Sequence, residues 1–179
     1  LVPALSFDVA DRSTPRCYIV GANNRSWMYA DYDHDAAWIT AGNQESDGML
    51  VPSIKIVKAL LRYRQIPLKS FHIEVLCRHI IPALVQEWTT QGYTFGYKYV
   101  VAQFLLSAQE LLNAPVGIPG SFTPPQDSGK STAELYKIGL VLQKLGERAW
   151  KICDTQHSPK EAAMWASFFG KPFSPYRSP

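Results

Sequence analysis

The chain's 179 residues, 46% apolar and 18% charged, are enough to bury a core and exclude a disordered segment. Its apolar runs are a few residues long, far short of the roughly 20 needed to span a bilayer, so no membrane association is expected. Net charge is +3 but unevenly spread: residues 1–50 hold three basic against seven acidic side chains, and residues 51–80 hold six basic ones (Lys55, Lys58, Arg62, Arg64, Lys69, Arg78) against Glu74 alone.

Residues 1–7, 16–21 and 26–30 are apolar, β-branched or aromatic and read as short strands separated by turn chemistry such as Asn23-Asn24-Arg25. Two or three strands do not make a stable sheet alone, so they are expected to belong to a larger one. From about residue 33 the period changes. Ala36, Ala37, Trp38 and Ala41 predict a short helix ending near Gly42-Asn43. A longer helix over residues 50–65 places Ile54, Val57, Leu60 and Leu61 on one stripe, with Pro52 in its first turn. The next helix starts at Ser70, read as its N-cap, and Pro82 is expected to kink or break it.

A third long helix covers residues 95–113, with Val100, Val101, Phe104, Leu105, Ala108, Leu111 and Leu112 in phase. Residues 114–130 are rich in Pro, Gly and Ser and read as a loop. Ser131 and Glu134 form a capping box opening a helix to about residue 155, with Leu135, Ile138, Leu142, Leu145 and Ala149 inward. Ser158-Pro159-Lys160-Glu161 is a second capping box, and Gly170 is the expected C′ glycine of the last helix. The fold class expected is α+β: a mainly helical lobe of about six helices behind two or three N-terminal strands.

Cys17, Cys77 and Cys153 are far apart and odd in number, which fits neither a zinc spacing nor a disulfide framework. No basic segment followed by an apolar one opens the chain. A reducing, cytoplasmic location is therefore expected. The chain opens Leu1-Val2-Pro3 without an initiator Met and reads as a piece of something longer.

Asp31-Tyr32-Asp33-His34-Asp35 is the densest acidic cluster. Alternating carboxylates on a strand hold Mg²⁺, but here a helical pattern follows, so a turn with Asp33 or Asp35 as N-cap is the better reading. The histidines show no ligand spacing beyond His72 and His79, seven apart. Gly129-Lys130-Ser131 ends like a phosphate-binding loop, but Pro124 stands where that loop needs its first Gly. The stronger constellation joins Lys55 and Lys58, one turn apart, to Lys69-Ser70-Phe71-His72 at the next helix start. Free N–H groups, a hydroxyl and nearby lysines make a phosphate seat, and an adjacent aromatic ring can stack on a base.

Four stretches in order resemble the C-terminal half of template-independent nucleotidyltransferases of the oligoadenylate synthase and cyclic GMP-AMP synthase type. That group includes the bacterial cyclic-oligonucleotide synthases of antiviral defence. The stretches are Leu1-Val2-Pro3-Ala4, Ile54-Lys55-Ile56-Val57-Lys58-Ala59-Leu60-Leu61, Leu68-Lys69-Ser70-Phe71-His72-Ile73-Glu74-Val75-Leu76, and Ala162-Ala163-Met164-Trp165-Ala166-Ser167-Phe168-Phe169-Gly170-Lys171-Pro172-Phe173.

The resemblance implies residues 1–30 as terminal strands of a polymerase-β-like nucleotidyltransferase core, residues 31–170 as the helical nucleotide-binding lobe, and residues 171–179 as a tail. It implies that Lys58 contacts the triphosphate, with Lys55 beside it, that Ser70 hydrogen-bonds phosphate, and that Phe71 stacks the base where the family more often has Tyr. It also implies that Mg²⁺ is held by carboxylates outside this chain, in an N-terminal catalytic half. The chain itself then carries no catalytic or metal-binding residue and is inactive alone. The parent would join nucleoside triphosphates such as ATP and GTP into a linear or cyclic oligonucleotide. The alternative is a non-catalytic helical module whose basic face meets an acidic protein or a nucleic acid; the basic run admits nucleic acid without pointing to it.

Overall fold

The computed structural model describes residues 4–7, 16–20, 27–155 and 159–170, with side chains for residues 30–155 and 160–170. The second capping serine, Ser158, the tail and the first three residues of the family-like opening lie outside the described residues. Three short strands, β1 (Ala4–Phe7), β2 (Arg16–Val20) and β3 (Trp27–Ala30), pair antiparallel in the order β1-β2-β3, with Leu5 opposite Tyr18 and Cys17 opposite Ala30. The rest is helical: α1 (Tyr32–Glu45), α2 (Leu50–Tyr63), α3 (Ser70–Thr90), α4 (Tyr97–Leu111), α5 (Thr132–Cys153) and α6 (Pro159–Phe169). None of these helices is long and apolar enough to cross a membrane.

The core follows the apolar stripes. On α2, Leu50, Ile54, Val57, Leu60 and Leu61 are buried at helical spacing. They meet Ile73, Leu76 and Val85 of α3, Phe104 and Leu105 of α4, Leu135, Leu142 and Ile152 of α5, and Phe168 of α6 in one cluster. The most extensive helix contact is between α4 and α5. It is close because Gly139 and Gly146 face α4: a Cβ on Gly146 would lie 2.8 Å from the Leu106 backbone N and side chain. The capping box at Ser131 forms as expected, with Glu134 N donating to Ser131 Oγ and Ser131 N donating to Glu134 Oε2. Gly170 takes φ +86° and ends α6.

Four local expectations are corrected. α1 does not stop at Gly42-Asn43 but continues to Glu45. Gly42 is needed inside the helix because the Arg78 side chain lies directly over it. Asn43 Oδ1 in the last turn of α1 and the Ser46 hydroxyl just past its end accept the Val51 and Leu50 N–H groups that open α2. Of the kink or break expected at Pro82, the break does not occur: α3 continues through it to Thr90, although proline removes a helix hydrogen bond at about 3 kcal/mol. Burial of Ile81, Leu84 and Val85 around it, roughly 1.5–3 kcal/mol each, outweighs that loss. The N-cap of α3 is Lys69, with Ser70 as the first helical residue, and the N-cap of α1 is Asp31 rather than Asp33 or Asp35.

The six cations of residues 51–80 do not form one face. Arg78 donates to Trp38 O at 2.9 Å and to Glu45 at 2.9 Å, tying α3 to α1. Arg64 donates to Phe168 O at 2.8 Å, closing the end of α6. Lys58 pairs with Glu74. Lys55, Arg62 and Lys69 remain exposed.

Candidate functional site

α2 ends in a tight turn in which Gln65 takes φ +54° and Ile66 N donates to Leu61 O at 2.9 Å. The chain then turns through Pro67 and enters α3. Between these two helix ends lies a cleft of about 290 Å³, lined by Lys58 and Arg62 from α2, Ser70 and Ile73 from α3, and apolar side chains of the turn. Lys58 and Arg62 meet there because they are four residues apart and so share a helix face. Ser70 joins them because it opens α3.

The start of α3 is electrostatically open. Lys69 is extended (ψ 146°) and no side chain caps the helix. The Ser70, Phe71 and His72 N–H groups therefore lack intrahelical partners, and the positive end of the helix dipole lies at the cleft. Lys58 is held against Glu74 one turn into α3, each side chain about a quarter exposed (26% and 29%). An incoming anion would have to share Lys58 with that carboxylate.

Behind this helix start, His72 is fully buried. Its Nδ1 lies 2.8 Å from Ser128 Oγ, and that same oxygen accepts the Lys69 N–H at 2.8 Å. Ser128 sits at φ +60°, braced by Gly129 N donating to Asp127 Oδ1 at 2.6 Å. Burial holds the His72 pKa below the usual histidine value, partly countered by Asp127. The loop of residues 114–130 is fastened twice more by histidine, to Pro119 O by His34 and to Gly117 O by His79, at 2.9 and 2.8 Å. Three histidines thus serve as loop anchors.

Lys58 and Ser70 are brought together in the cleft. Lys55 is exposed on α2 and does not line it. Phe71 is partly buried and packs against the core beside the cleft rather than lining it. Sequence reasoning does not single out Arg62, Glu74 or the His72–Ser128 pair. Arg62 is legible as the helical neighbour of Lys58, and Glu74 as the lone acid of a basic run. Nothing local in the sequence joins His72 to a serine 56 residues away.

The acidic cluster is used structurally. Asp35 is buried and accepts from Ser121 Oγ and Thr123 Oγ1, both at 2.7 Å. Asp33 is exposed, and Asp31 is buried beside Thr123 Oγ1, which accepts its N–H at 3.1 Å. Both Asp35 oxygens are engaged by hydroxyls, Asp33 is exposed, and Asp31 Oδ1 is buried without a partner. Among the described residues no three His, Cys, Asp or Glu side chains gather as metal ligands. Cys77 and Cys153 are buried free thiols, and burial raises the pKa of both, Cys153 to about 11, so neither is an activated nucleophile. Compared with known proteins, the chain matches no family model and no curated protein.

Proposed function

We propose that this chain is the helical, nucleotide-contacting lobe of a Mg²⁺-dependent nucleotidyltransferase that joins nucleoside triphosphates. The α2–α3 cleft would seat the triphosphate. The observation that supports this is the convergence of Lys58, Arg62 and Ser70 on one cleft at an uncapped helix start. A phosphate oxygen there would take the Ser70 hydroxyl and the first-turn N–H groups of α3, with the charge of Lys58 and Arg62 alongside. The attacking hydroxyl and the Mg²⁺ would be placed by a catalytic half outside this chain, while the residues of this chain bind and orient the triphosphate.

The rival reading, a basic face for an acidic protein or nucleic acid, is weakened by the dispersal of the cations. Arg64 is committed to the end of α6 and Arg78 to the backbone of α1.

Calorimetric titration with ATP and with GTP tests the proposal. Lys58→Met and Ser70→Ala should each weaken binding by about 1.5–3 kcal/mol, the range for a hydrogen bond to a charged group. Lys55→Met should have a smaller effect. Saturable binding that none of the three changes alters would overturn the assignment.

A further inference from the structure

His72 is the third residue of α3, so its own backbone N–H is one of the open groups at the helix start. Four covalent bonds join that nitrogen to the ring Nδ1, which keeps the two within about 5 Å of each other. The ring does not line the cleft. It is fully buried, with Nδ1 facing Ser128 Oγ and Nε2 without a partner.

Without a neighbouring anion, these surroundings keep the ring neutral. An imidazolium carries an N–H at Nε2, and no acceptor meets that atom. Burial is the largest influence against the charged form; of the charged groups that act on the ring, Lys69 at the N-cap opposes protonation and Asp127 on the loop favours it. The positive end of the helix dipole opposes it as well. The charged form nevertheless has a place. The Ser128 oxygen accepts the Lys69 N–H and has a second lone pair for a Nδ1–H, so the loop anchor survives protonation.

A phosphate oxygen on the first-turn N–H groups reverses the balance. Hydrogen-bonded at about 3 Å, it would stand within about 8 Å of the ring. At that distance one unit charge moves a titration by about one unit at the effective dielectric of a protein surface. Lys58, Arg62 and Lys69 keep their charge across neutral pH, and Glu74 and Asp127 lose theirs well below it. His72 is the group at the seat whose ordinary titration lies in between.

We propose that anion binding at the α3 start is coupled to proton uptake by His72, so that the seat holds a phosphate chain more tightly as the pH falls from about 7.5 to about 5.5. The coupling rests on the phosphate seat proposed above and adds its regulation. The proton comes from solvent, and His72 acts through its charge without touching the ligand.

The probe is trimetaphosphate, a cyclic trianion whose own charge stays fixed over this range, titrated into the full chain. Saturation is followed on the Ser70, Phe71 and His72 amides, and protonation of each histidine ring by ¹⁵N–¹H correlations against pH. Saturating probe should raise the His72 midpoint by about one unit. His79, about 10 Å further along the helix axis, should move by less than half as much. The dissociation constant should fall about three- to five-fold from pH 7.5 to 5.5. His72→Asn, whose amide can still donate to Ser128 Oγ, should bind with nearly constant affinity over that range, a thermal melt confirming that it is folded. A wild-type His72 midpoint that stays put while the α3 amides saturate would overturn the coupling and leave the seat standing. Amides at the α3 start that never respond would remove the seat, and the coupling with it.

Discussion

Removing the Ser128 hydroxyl should unpin the long loop from the start of α3. One oxygen serves both His72 Nδ1 and the Lys69 N–H, each at 2.8 Å. His72 is fully buried and its Nε2 has no partner, so Ser128→Ala strands the second ring nitrogen too. Stranding a buried polar group costs about 1–3 kcal/mol, whereas the exposed Lys69 N–H is readily rehydrated. Ser128 also sits at φ +60°. Alanine inherits the left-handed strain of about 1–2 kcal/mol, and glycine relieves it at an entropic cost of about 0.5–1 kcal/mol. Ser128→Ala should therefore lose about 1.5–3 kcal/mol, and Ser128→Gly should lose less by roughly 0.5–1 kcal/mol. Urea unfolding with an unchanged slope measures both. The same anchor carries a pH signature. Burial depresses the folded-state pKa of His72, so near and below about 6.5 the unfolded chain binds more protons than the folded one. This contribution is present above that value and is lost as pH falls through the depressed folded pKa. The wild type should weaken from about pH 7 toward 5, and His72→Phe should flatten that slope. An alanine variant as stable as wild type, or a glycine variant worse than alanine, would refute the anchoring argument.

Gly146→Ala should destabilise the chain by about 1–2 kcal/mol, because overpacking against the Leu106 backbone at 2.8 Å outweighs the helix-propensity gain of about 1 kcal/mol. Gly139→Ala, whose Cβ would lie 3.0 Å from the Gln109 side chain, should be milder, and thermal melts of the pair check the ordering. Asp35→Ala should lose about 2–4 kcal/mol by stranding the Ser121 and Thr123 hydroxyls, with Asp35→Asn costing less, again by urea unfolding. Glu74→Gln should change stability by under about 1 kcal/mol, as expected for a partly exposed pair. It should nevertheless tighten tripolyphosphate binding several-fold and steepen its salt dependence; weaker binding would mean that Glu74 positions Lys58 more than it competes for it.

The helices are legible in the sequence because apolar spacing and turn chemistry agree. Leu50 to Leu61 repeats at the helical period, and Ser131 with Glu134 fixes one boundary. The misreadings come from tertiary contacts. Gly42 looks like a helix stop until Arg78 is found packed across it, and Pro82 looks like a break until its buried neighbours are counted. In the site, Lys58 and Ser70 are legible from charge spacing and helix chemistry. The Lys58–Glu74 pair and the His72–Ser128 anchor are not, because each joins residues that only folding brings together. The charge run misleads for the same reason: two of its arginines bond backbone carbonyls of other helices rather than forming a surface.

The most direct test of the proposed phosphate seat is a ¹⁵N–¹H correlation spectrum of the chain titrated with tripolyphosphate. The amides of Ser70, Phe71 and His72 should move first and saturate together, and Ser70→Ala and Lys58→Met should each shift that saturation to higher concentration. Largest shifts instead on the α5–α6 surface around Arg148 and Lys160, with the α3 start unmoved, would contradict the account.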